Sequence, residues 1–289
     1  MTRRKESRDR AMLLRDMPGA LQSRDIFLVY QPKLRLRTGT IDGVEALLRW
    51  RHPVLGGISR GVLIPLVEGS GKIREFTIWV LRQVIADQAR LEARGTRVAI
   101  YINVSGPLLT DGEFVREVST LVGLAPGSIG FEITETSLIS NPQAALVNLK
   151  RFVEQGIAIS IDDYGSGVSS LAYLKELPAS ELKIDKLFIS GMTASHRDPL
   201  IVRSTIDLAH ALGMVVVAEG VESLAALALL RVMGCDFAQG YLISPALTIV
   251  ALEQFLDDDH STRLLEKAGA TLQPAEAFWT RSGREAEQR

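Results

Sequence analysis

Two adjacent aspartates, Asp162 and Asp163, lie within the stretch SIDDYGSGVSS at positions 160–170. They end an apolar run that begins at Ile157, and a loop of Gly, Ser and Tyr follows them. Because neighbouring carboxylates repel each other, the pair must be solvated or opposed by cations. Two divalent ions about 3.5–4 Å apart could neutralise them, activate a water and stabilise an in-line phosphoryl displacement. We expect both side chains to turn toward such ions where the strand ends.

Other polar residues stand near the ends of the remaining apolar segments. Barrel enzymes place their chemistry at the carboxyl ends of the strands, so residues that are distant in sequence would meet at one rim. The set is Glu45, Asn103, Glu132, Asp162, Asp163, Lys183, Glu219 and Gln239. Oxygen donors of this kind favour Mg²⁺ or Mn²⁺ over zinc or copper. Lys183 could orient the attacking water or balance charge on a phosphate.

Each of these residues also has a purely structural interpretation. An Asp-Asp-x-Gly stretch is common in turns, and Glu45 or Glu132 alone could be half of an ion pair. Lys183 could pair with Asp185 at the surface, where such a pair contributes little. The common position of these residues at segment ends favours a shared site over scattered surface charges.

The segments themselves predict an α/β fold, a (β/α)8 TIM-type barrel in a single domain. Short apolar stretches alternate with helical patterns about eight times, as in 77–95, in the helix opened by Asn141-Pro142 and in the helix opened by Asp198-Pro199. In several predicted strands bulky residues alternate with polar ones, as expected for a barrel whose interior carries functional polar side chains. The stretches are 26–32, 41–50, 98–105, 129–135, 157–163, 181–186, 215–220 and 237–240. An open, doubly wound sheet is the alternative, and it explains the polar face poorly.

Composition narrows the class of protein. The chain has 289 residues, 46% hydrophobic and 23% charged, with a net charge of −1 that gives no case for binding nucleic acid polymers or anionic membranes. The single cysteine, Cys235, fits a reducing compartment, and the histidine spacing argues against a zinc site. With no signal peptide and no membrane span in the sequence, we expect a cytoplasmic chain. We expect residues 1–20 to form a linker or helix extension, 21–260 the barrel and 261–289 a tail.

An ordered set of motifs resembles the EAL-domain family, the cyclic di-GMP phosphodiesterases named for the triplet Glu45-Ala46-Leu47. The resemblance runs from about Leu21 to Ala246. The motifs are QPK (31–33), EALLRW (45–50), HP (52–53), ISRGVLIPLVE (58–68), INVS (102–105), FEITET (131–136), IDDYGSGVSSL (161–171), LKID (182–185), VVAEGVE (216–222) and GCDFAQGYLISPAL (234–247).

The resemblance implies a modified β/α barrel that hydrolyses cyclic di-GMP to linear pGpG. It implies a requirement for Mg²⁺ or Mn²⁺, two ions in the site, and inhibition by Ca²⁺. Carried over by motif, the metal ligands would be Glu45, Asn103, Glu132, Asp162 and Asp163. Lys183 would assist the attacking water, and Glu219 and Gln239 would complete the shell of the metals and water.

The same resemblance assigns the substrate contacts. Arg49 would hold a phosphate as a bidentate donor, Gln31 and Tyr241 would line the nucleotide pocket, and Glu222 would support the segment of Glu219. Glu135 would anchor the loop after the aspartates, which in this family links dimer contacts to the metals. The resemblance also implies a homodimer and an upstream sensor or cyclase domain.

The chain departs from the family pattern at a few positions outside the proposed metal ligands. Tyr164, Ser166 and Val168 replace Phe, Thr and Tyr in the loop after the aspartates, and Gly69 replaces an acidic residue. Two other functions compete with hydrolysis. One is a cyclic di-GMP receptor that binds without cleaving. The other is a Mg²⁺-dependent barrel enzyme in which Lys183, with a depressed pKa, removes a proton beside a carboxylate.

Overall fold

The computed structural model describes residues 2–134, 142–165, 171–194 and 197–270. Eight of its strands close into a ring in the order β1-β9-β8-β7-β6-β5-β4-β2, with β2 pairing back to β1, and β3 forms a hairpin with β2. The strands are β1 Ile26–Arg35, β2 Ile41–His52, β3 Gly56–Ile58, β4 Ala99–Asn103, β5 Ile129–Thr134, β6 Ala158–Tyr164, β7 Glu181–Ile184, β8 Val215–Ala218 and β9 Phe237–Ala238. The predicted barrel is confirmed.

One strand of the ring runs against the others. β1 is antiparallel to both of its neighbours, β2 and β9, whereas the pairs from β2 through β4 to β9 are parallel. The reversal follows from the short connection between β1 and β2, because a tight hairpin can join only antiparallel strands. The barrel is therefore a modified TIM type.

Helices connect the parallel strands and cover the barrel. They are α1 Thr2–Gln22, α2 Arg60–Gly69, α3 Ile73–Glu92, α4 Gly112–Val122, α5 Pro142–Glu154, α6 Leu171–Leu174, α7 Lys186–Gly191, α8 Asp198–Ala211, α9 Leu224–Val232, α10 Ile249–Leu256 and a last helix, α11, at 260–270, with a 3₁₀ turn at Gly106–Thr110. Side-chain caps fix several helix starts: Asp111 accepts from the amides of Glu113 and Phe114, and Ser223 accepts from that of Ala226.

Both ends of the described chain pack on the barrel. On α1, Leu13 and Met17 are buried, and Asp16 contacts the fully buried ring of His52 at the end of β2. On α11, Leu264 and Leu265 are buried in the same core. α1, at Thr2–Gln22, overlaps the range 1–20 that the sequence suggested as an extension, and α11, at 260–270, overlaps the range 261–289 that it suggested as a tail. Among the helices in the described ranges, none is both long and apolar enough to cross a membrane.

The interior of the barrel is polar where the strand alternation predicts it. Glu132, Ser160, Glu181 and Lys183 are buried, and their strand neighbours face the helices as part of the apolar core. Gly130 makes room for this interior, because a Cβ there would lie 2.3 Å from the ring of Tyr101. Near the carboxyl rim, charged side chains therefore occupy the axis of the barrel in place of apolar ones.

Candidate functional site

Lys183 on β7 is the centre of the charged interior. Its side chain has no exposed surface, and its Nζ atom contacts carboxylates from four other strands or strand ends. The distances from Nζ are 2.7 Å to Glu219 Oε1, 2.8 Å to Glu132 Oε2, 3.0 Å to Asp162 Oδ1 and 3.5 Å to Glu45 Oε2. The barrel therefore brings together acidic residues that the sequence separates widely, and the suggested surface pair of Lys183 with Asp185 is not what the structure shows. Asp185 caps α7 instead.

Glu45 on β2 is held by amides from both sides. Asn103 Nδ2 donates to its Oε1 at 2.9 Å, and Gln239 Nε2 donates to its Oε2 at 2.7 Å. Gln239 also donates to Gln31 Oε1 at 3.2 Å. The other atom of that amide, Gln239 Oε1, is buried with no hydrogen-bond partner among the described residues. Such an acceptor is open to a cation or a water.

A bulge at the end of β6 turns both neighbouring aspartates to the same place. In the pairing with β7, Ile161 lies opposite Leu182 but Tyr164 lies opposite Ile184, so Asp162 and Asp163 together face one residue. Asp163 has a φ of 56°, which is rare for a residue other than glycine. One carboxylate oxygen each of Asp162, Asp163 and Glu219 lies within 4.8 Å of the other two. The local backbone thus collects three carboxylates at the rim.

A second buried lysine lies next to this group. Lys33 on β1 is 1% exposed, and its Nζ contacts Glu132 Oε1 at 2.9 Å and Glu181 Oε1 at 2.7 Å. Ser160 donates to the same oxygen of Glu181, and the ring of Tyr101 lies 3.4 Å from Lys33 Nζ. Lys33 belongs to the motif QPK, but neither Lys33 nor Glu181 was predicted from the sequence to have a role in the site. The alternation of residues in 181–186 places Glu181 on the same strand face as Lys183, and this pattern could have identified Glu181 as an interior residue.

The acidic groups differ in the direction of their pKa shifts: the pKa of Glu45 is lowered, and those of Glu132, Glu219 and Asp163 are raised. Burial acts against ionisation of Glu45, but the charges of Lys183 and Arg60 outweigh it and lower its pKa to about 2. Burial and the charge of Glu45 raise the pKa of Glu132 to about 8, despite the nearby lysines. Burial raises the pKa of Glu219 to about 7, with a further contribution from Asp162. Burial and the charge of Asp162 raise the pKa of Asp163 to about 6.

The pKa of Lys183 is raised well above its ordinary value. Burial alone would lower it, but Glu132 and the other carboxylates more than compensate. Lys183 is thus a stable cation, whereas a proton-abstracting base would need a depressed pKa. The chemistry that needs such a base, one of the alternatives raised by the sequence, is disfavoured.

An open cavity of about 490 Å³ lies above these groups. Its lining residues are Gln31, Glu45, Leu47, Arg49, Arg60, Asp162, Asp163, Lys186, Glu219, Gly220, Glu222, Gln239, Gly240 and Tyr241. Tyr241 is 73% exposed at its edge. Arg49 donates to the carbonyl of Leu48, and burial together with the positive charge of Arg60 lowers its pKa.

Most residues predicted for the site therefore line this cavity or contact residues that line it. Asn103 and Glu132 line an adjoining cavity, Lys183 is fully buried, and all three contact Glu45 or one another. Glu135, predicted to couple the following loop to dimer contacts, lies outside the described residues, as do Ser166 and Val168. Arg60 and Lys186 also line the cavity, although neither was predicted from the sequence as a site residue.

The donor set fits hard divalent cations. Carboxylate and amide oxygens surround one rim, no histidine or cysteine takes part among the lining residues, and one amide oxygen is left without a partner. Two lysines, Lys33 and Lys183, face five carboxylates, those of Glu45, Glu132, Asp162, Glu181 and Glu219. Added cations would correct this excess of acidic groups.

The fold is a modified TIM-type barrel, and the acidic groups at its carboxyl rim form a candidate metal site. The model of the EAL domain family matches residues 14–246, and the chain belongs to this family.

Several known proteins are similar to this chain. The Cyclic di-GMP phosphodiesterase NbdA of Pseudomonas aeruginosa is 41% identical over 82% of this chain and 31% of its own length. The bifunctional diguanylate cyclase/cyclic di-GMP phosphodiesterase MucR of the same organism is 39% identical over 82% of this chain and 35% of its own length. The chain thus spans about a third of the length of these curated relatives.

Solved structures agree with the family assignment. The PaMucR phosphodiesterase in complex with c-di-GMP is 38% identical, with a TM-score of 0.78 over 83% of this chain and 99% of that one. The EAL domain of Mycobacterium smegmatis DcpA is 33% identical, with a TM-score of 0.67 over 80% of this chain and 95% of that one.

Proposed function

We propose that this chain hydrolyses cyclic di-GMP to linear pGpG with the help of Mg²⁺ or Mn²⁺. The observation that carries the proposal is the convergence of Glu45, Glu132, Asp162 and Glu219 on Lys183 beneath an open cavity. Relatives named as cyclic di-GMP phosphodiesterases, and a related phosphodiesterase solved with c-di-GMP, support the choice of substrate.

Five residues are proposed as metal ligands, and each contributes oxygen. They are Glu45, Asn103, Glu132, Asp162 and Asp163, with Glu219 and Gln239 completing the shell of metals and water. Two bound divalent ions would supply charge stabilisation to the attacking and leaving oxygens. The cluster of Asp162, Asp163 and Glu219 and the unpartnered Oε1 of Gln239 support this assignment.

Lys183 is proposed to act as a cation and hydrogen-bond donor. Its raised pKa keeps the ammonium charged, so it can orient the attacking water or balance the negative charge of the phosphate. In the overall reaction the oxygen of water joins phosphorus as the bond from phosphorus to the ribose oxygen breaks. One proton of water ends on that ribose oxygen, which leaves as a hydroxyl group.

The substrate contacts are proposed from the lining of the cavity. Arg49 holds a phosphate, Gln31 and Tyr241 line the nucleotide pocket, and Glu222 supports the segment that carries Glu219. All four line the same cavity as the acidic centre. A homodimer, coupling through Glu135 and an upstream sensor or cyclase domain in the whole protein remain predictions, as does a cytoplasmic location.

A receptor that binds cyclic di-GMP without cleaving it is the second candidate. The grouping of Asp162, Asp163 and Glu219, together with the contacts of Glu45 with Asn103 and Gln239, supports hydrolysis over this function. Incubation of the chain with cyclic di-GMP and Mn²⁺, followed by chromatography, tests the choice. Linear pGpG is expected, with none formed in EDTA or by Glu45→Gln. Unchanged cyclic di-GMP, with binding intact in calorimetry, would identify a receptor.

A further inference from the structure

Arg60 is a charged residue of the cavity to which neither the sequence nor the proposed reaction assigned a role. It is the first residue of α2, and its side chain is 40% exposed. It lines the cavity above the acidic centre, and it also lines an adjoining cavity of about 220 Å³ between α2, α3 and the barrel. The guanidinium thus stands where the two cavities meet.

The only ion pair that the described structure gives Arg60 is a long one. Its Nη1 lies 3.5 Å from Glu45 Oε1, at the limit of a hydrogen bond. The same oxygen already accepts the shorter bond from Asn103. Under the proposed function Glu45 is also a metal ligand, and a bound cation would compete directly with Arg60 for this carboxylate. The guanidinium would then need another anion.

A second arginine faces the same volume. Arg49 lines the cavity with Arg60, and the positive charge of Arg60 contributes to lowering the pKa of Arg49. Two like charges beside one cavity repel each other unless an anion lies between or beside them. Guanidinium groups match the oxygens of phosphate by donating two parallel hydrogen bonds. Cyclic di-GMP carries two phosphodiester groups, one more than Arg49 alone can hold in this way.

We propose that Arg60 is a second phosphate-binding residue, which contacts an anionic oxygen of the cyclic dinucleotide beside Arg49. This inference rests on the proposed function for the identity of the substrate. In the structure Arg60 contacts Glu45, and a cation held by Glu45 would leave the guanidinium available to the phosphate of the nucleotide. Arg60 is a binding residue in this account, and neither a metal ligand nor a proton donor.

Kinetics of Arg60→Gln and Arg60→Lys with cyclic di-GMP and Mn²⁺ test the proposal. Because a hydrogen bond to a charged group is lost, Arg60→Gln should raise KM at least about tenfold and change kcat much less. Arg60→Lys keeps the charge without the planar donor pair and should give an intermediate KM. Arg82→Gln, which removes an exposed arginine of α3 outside this cavity, should leave KM unchanged.

Binding of Mn²⁺ without nucleotide separates this role from an effect exerted through Glu45. The proposal expects Arg60→Gln to bind Mn²⁺ at least as tightly as the parent chain, because a competing cation has been removed. An unchanged KM, or a loss of Mn²⁺ affinity that accounts for the change in KM, would overturn it. Thermal melting of Arg60→Gln verifies that the variant is folded.

Failure of the proposed function would be visible separately, as absence of cleavage by the parent chain. In that case calorimetry with cyclic di-GMP and Ca²⁺ measures Kd directly for the parent chain and Arg60→Gln. A Kd weakened at least about tenfold supports the phosphate contact even in a receptor. Equal Kd values, or no binding by the parent chain, reject it.

Discussion

Lys183 and Glu132 form an ion pair at 2.8 Å in which neither side chain has any exposed surface. The other oxygen of Glu132 contacts Lys33 at 2.9 Å, so one carboxylate joins two buried lysines on different strands. Burying charges is costly unless they are paired and hydrogen-bonded. In the interior of the barrel, Lys33 and Lys183 pair with the buried carboxylates. The remaining carboxylates lie at the rim, where the cavity opens.

Metal binding should release protons near neutral pH. Glu219 has a pKa of about 7 and Asp163 a pKa of about 6, so these groups hold protons that a cation must displace. The apparent affinity for Mn²⁺ should therefore rise as the pH is raised through about 6 to about 7. Calorimetry in two buffers of different ionisation enthalpy measures the proton count. Heats that are independent of the buffer would contradict this prediction.

Replacement of Lys183 should greatly lower the turnover of cyclic di-GMP. Lys183→Met removes the cation that contacts four carboxylates, and we expect kcat to fall at least about a hundredfold. Lys150→Met, which removes an exposed lysine of α5, is the matched control and should leave kcat unchanged. Turnover comparable with that of the control, in a folded Lys183→Met chain, would show that the lysine is dispensable.

The pair of Lys33 and Glu181 should behave as a structural unit. Lys33→Met leaves Glu181 buried without its cation and should lower the free energy of unfolding by about 3–5 kcal/mol. Exchanging both partners for apolar residues, in Lys33→Met/Glu181→Leu, should recover most of that loss. Denaturant unfolding of the single and double variants gives both numbers. If the double variant is as unstable as Lys33→Met, the two side chains are not energetically coupled.

Calcium should inhibit by occupying the same oxygens. Ca²⁺ takes more ligands at longer distances than Mg²⁺ and tolerates irregular geometry, so it can bind these carboxylates without holding the reacting groups closely. Turnover in Mn²⁺ should fall as Ca²⁺ is added and recover when Mn²⁺ is raised. Inhibition that excess Mn²⁺ does not relieve would place the Ca²⁺ effect elsewhere on the molecule.

The barrel and the convergence of its acidic residues could be predicted because both follow from short-range pattern. Alternation along 157–163 and 181–186 placed Asp162 and Lys183 on the interior face, where the structure has them. The helix starts at Pro142 and Asp198 could also be predicted, because proline is favoured in the first turn of a helix. The antiparallel course of β1 was not foreseen, because its direction depends on which strands it joins.

Other parts of the site depend on distant contacts that no local pattern encodes. Lys33 lies in an ordinary strand sequence, and its pairing with Glu181 across 148 positions becomes visible only when the ring closes. Arg60 opens a helix at the surface of the chain, yet its guanidinium reaches the cavity of β2. The φ of 56° at Asp163 arises from the bulge against β7, which the sequence of β6 alone does not specify.

The most direct test of the account is an anomalous difference map from crystals of the chain grown with Mn²⁺ and cyclic di-GMP. We expect two Mn²⁺ peaks at the rim, contacted by Glu45, Asn103, Glu132, Asp162 and Asp163, with a phosphate of the nucleotide beside them. Nucleotide bound in the cavity with no Mn²⁺ at these carboxylates, or Mn²⁺ bound only elsewhere, would contradict the proposed hydrolysis.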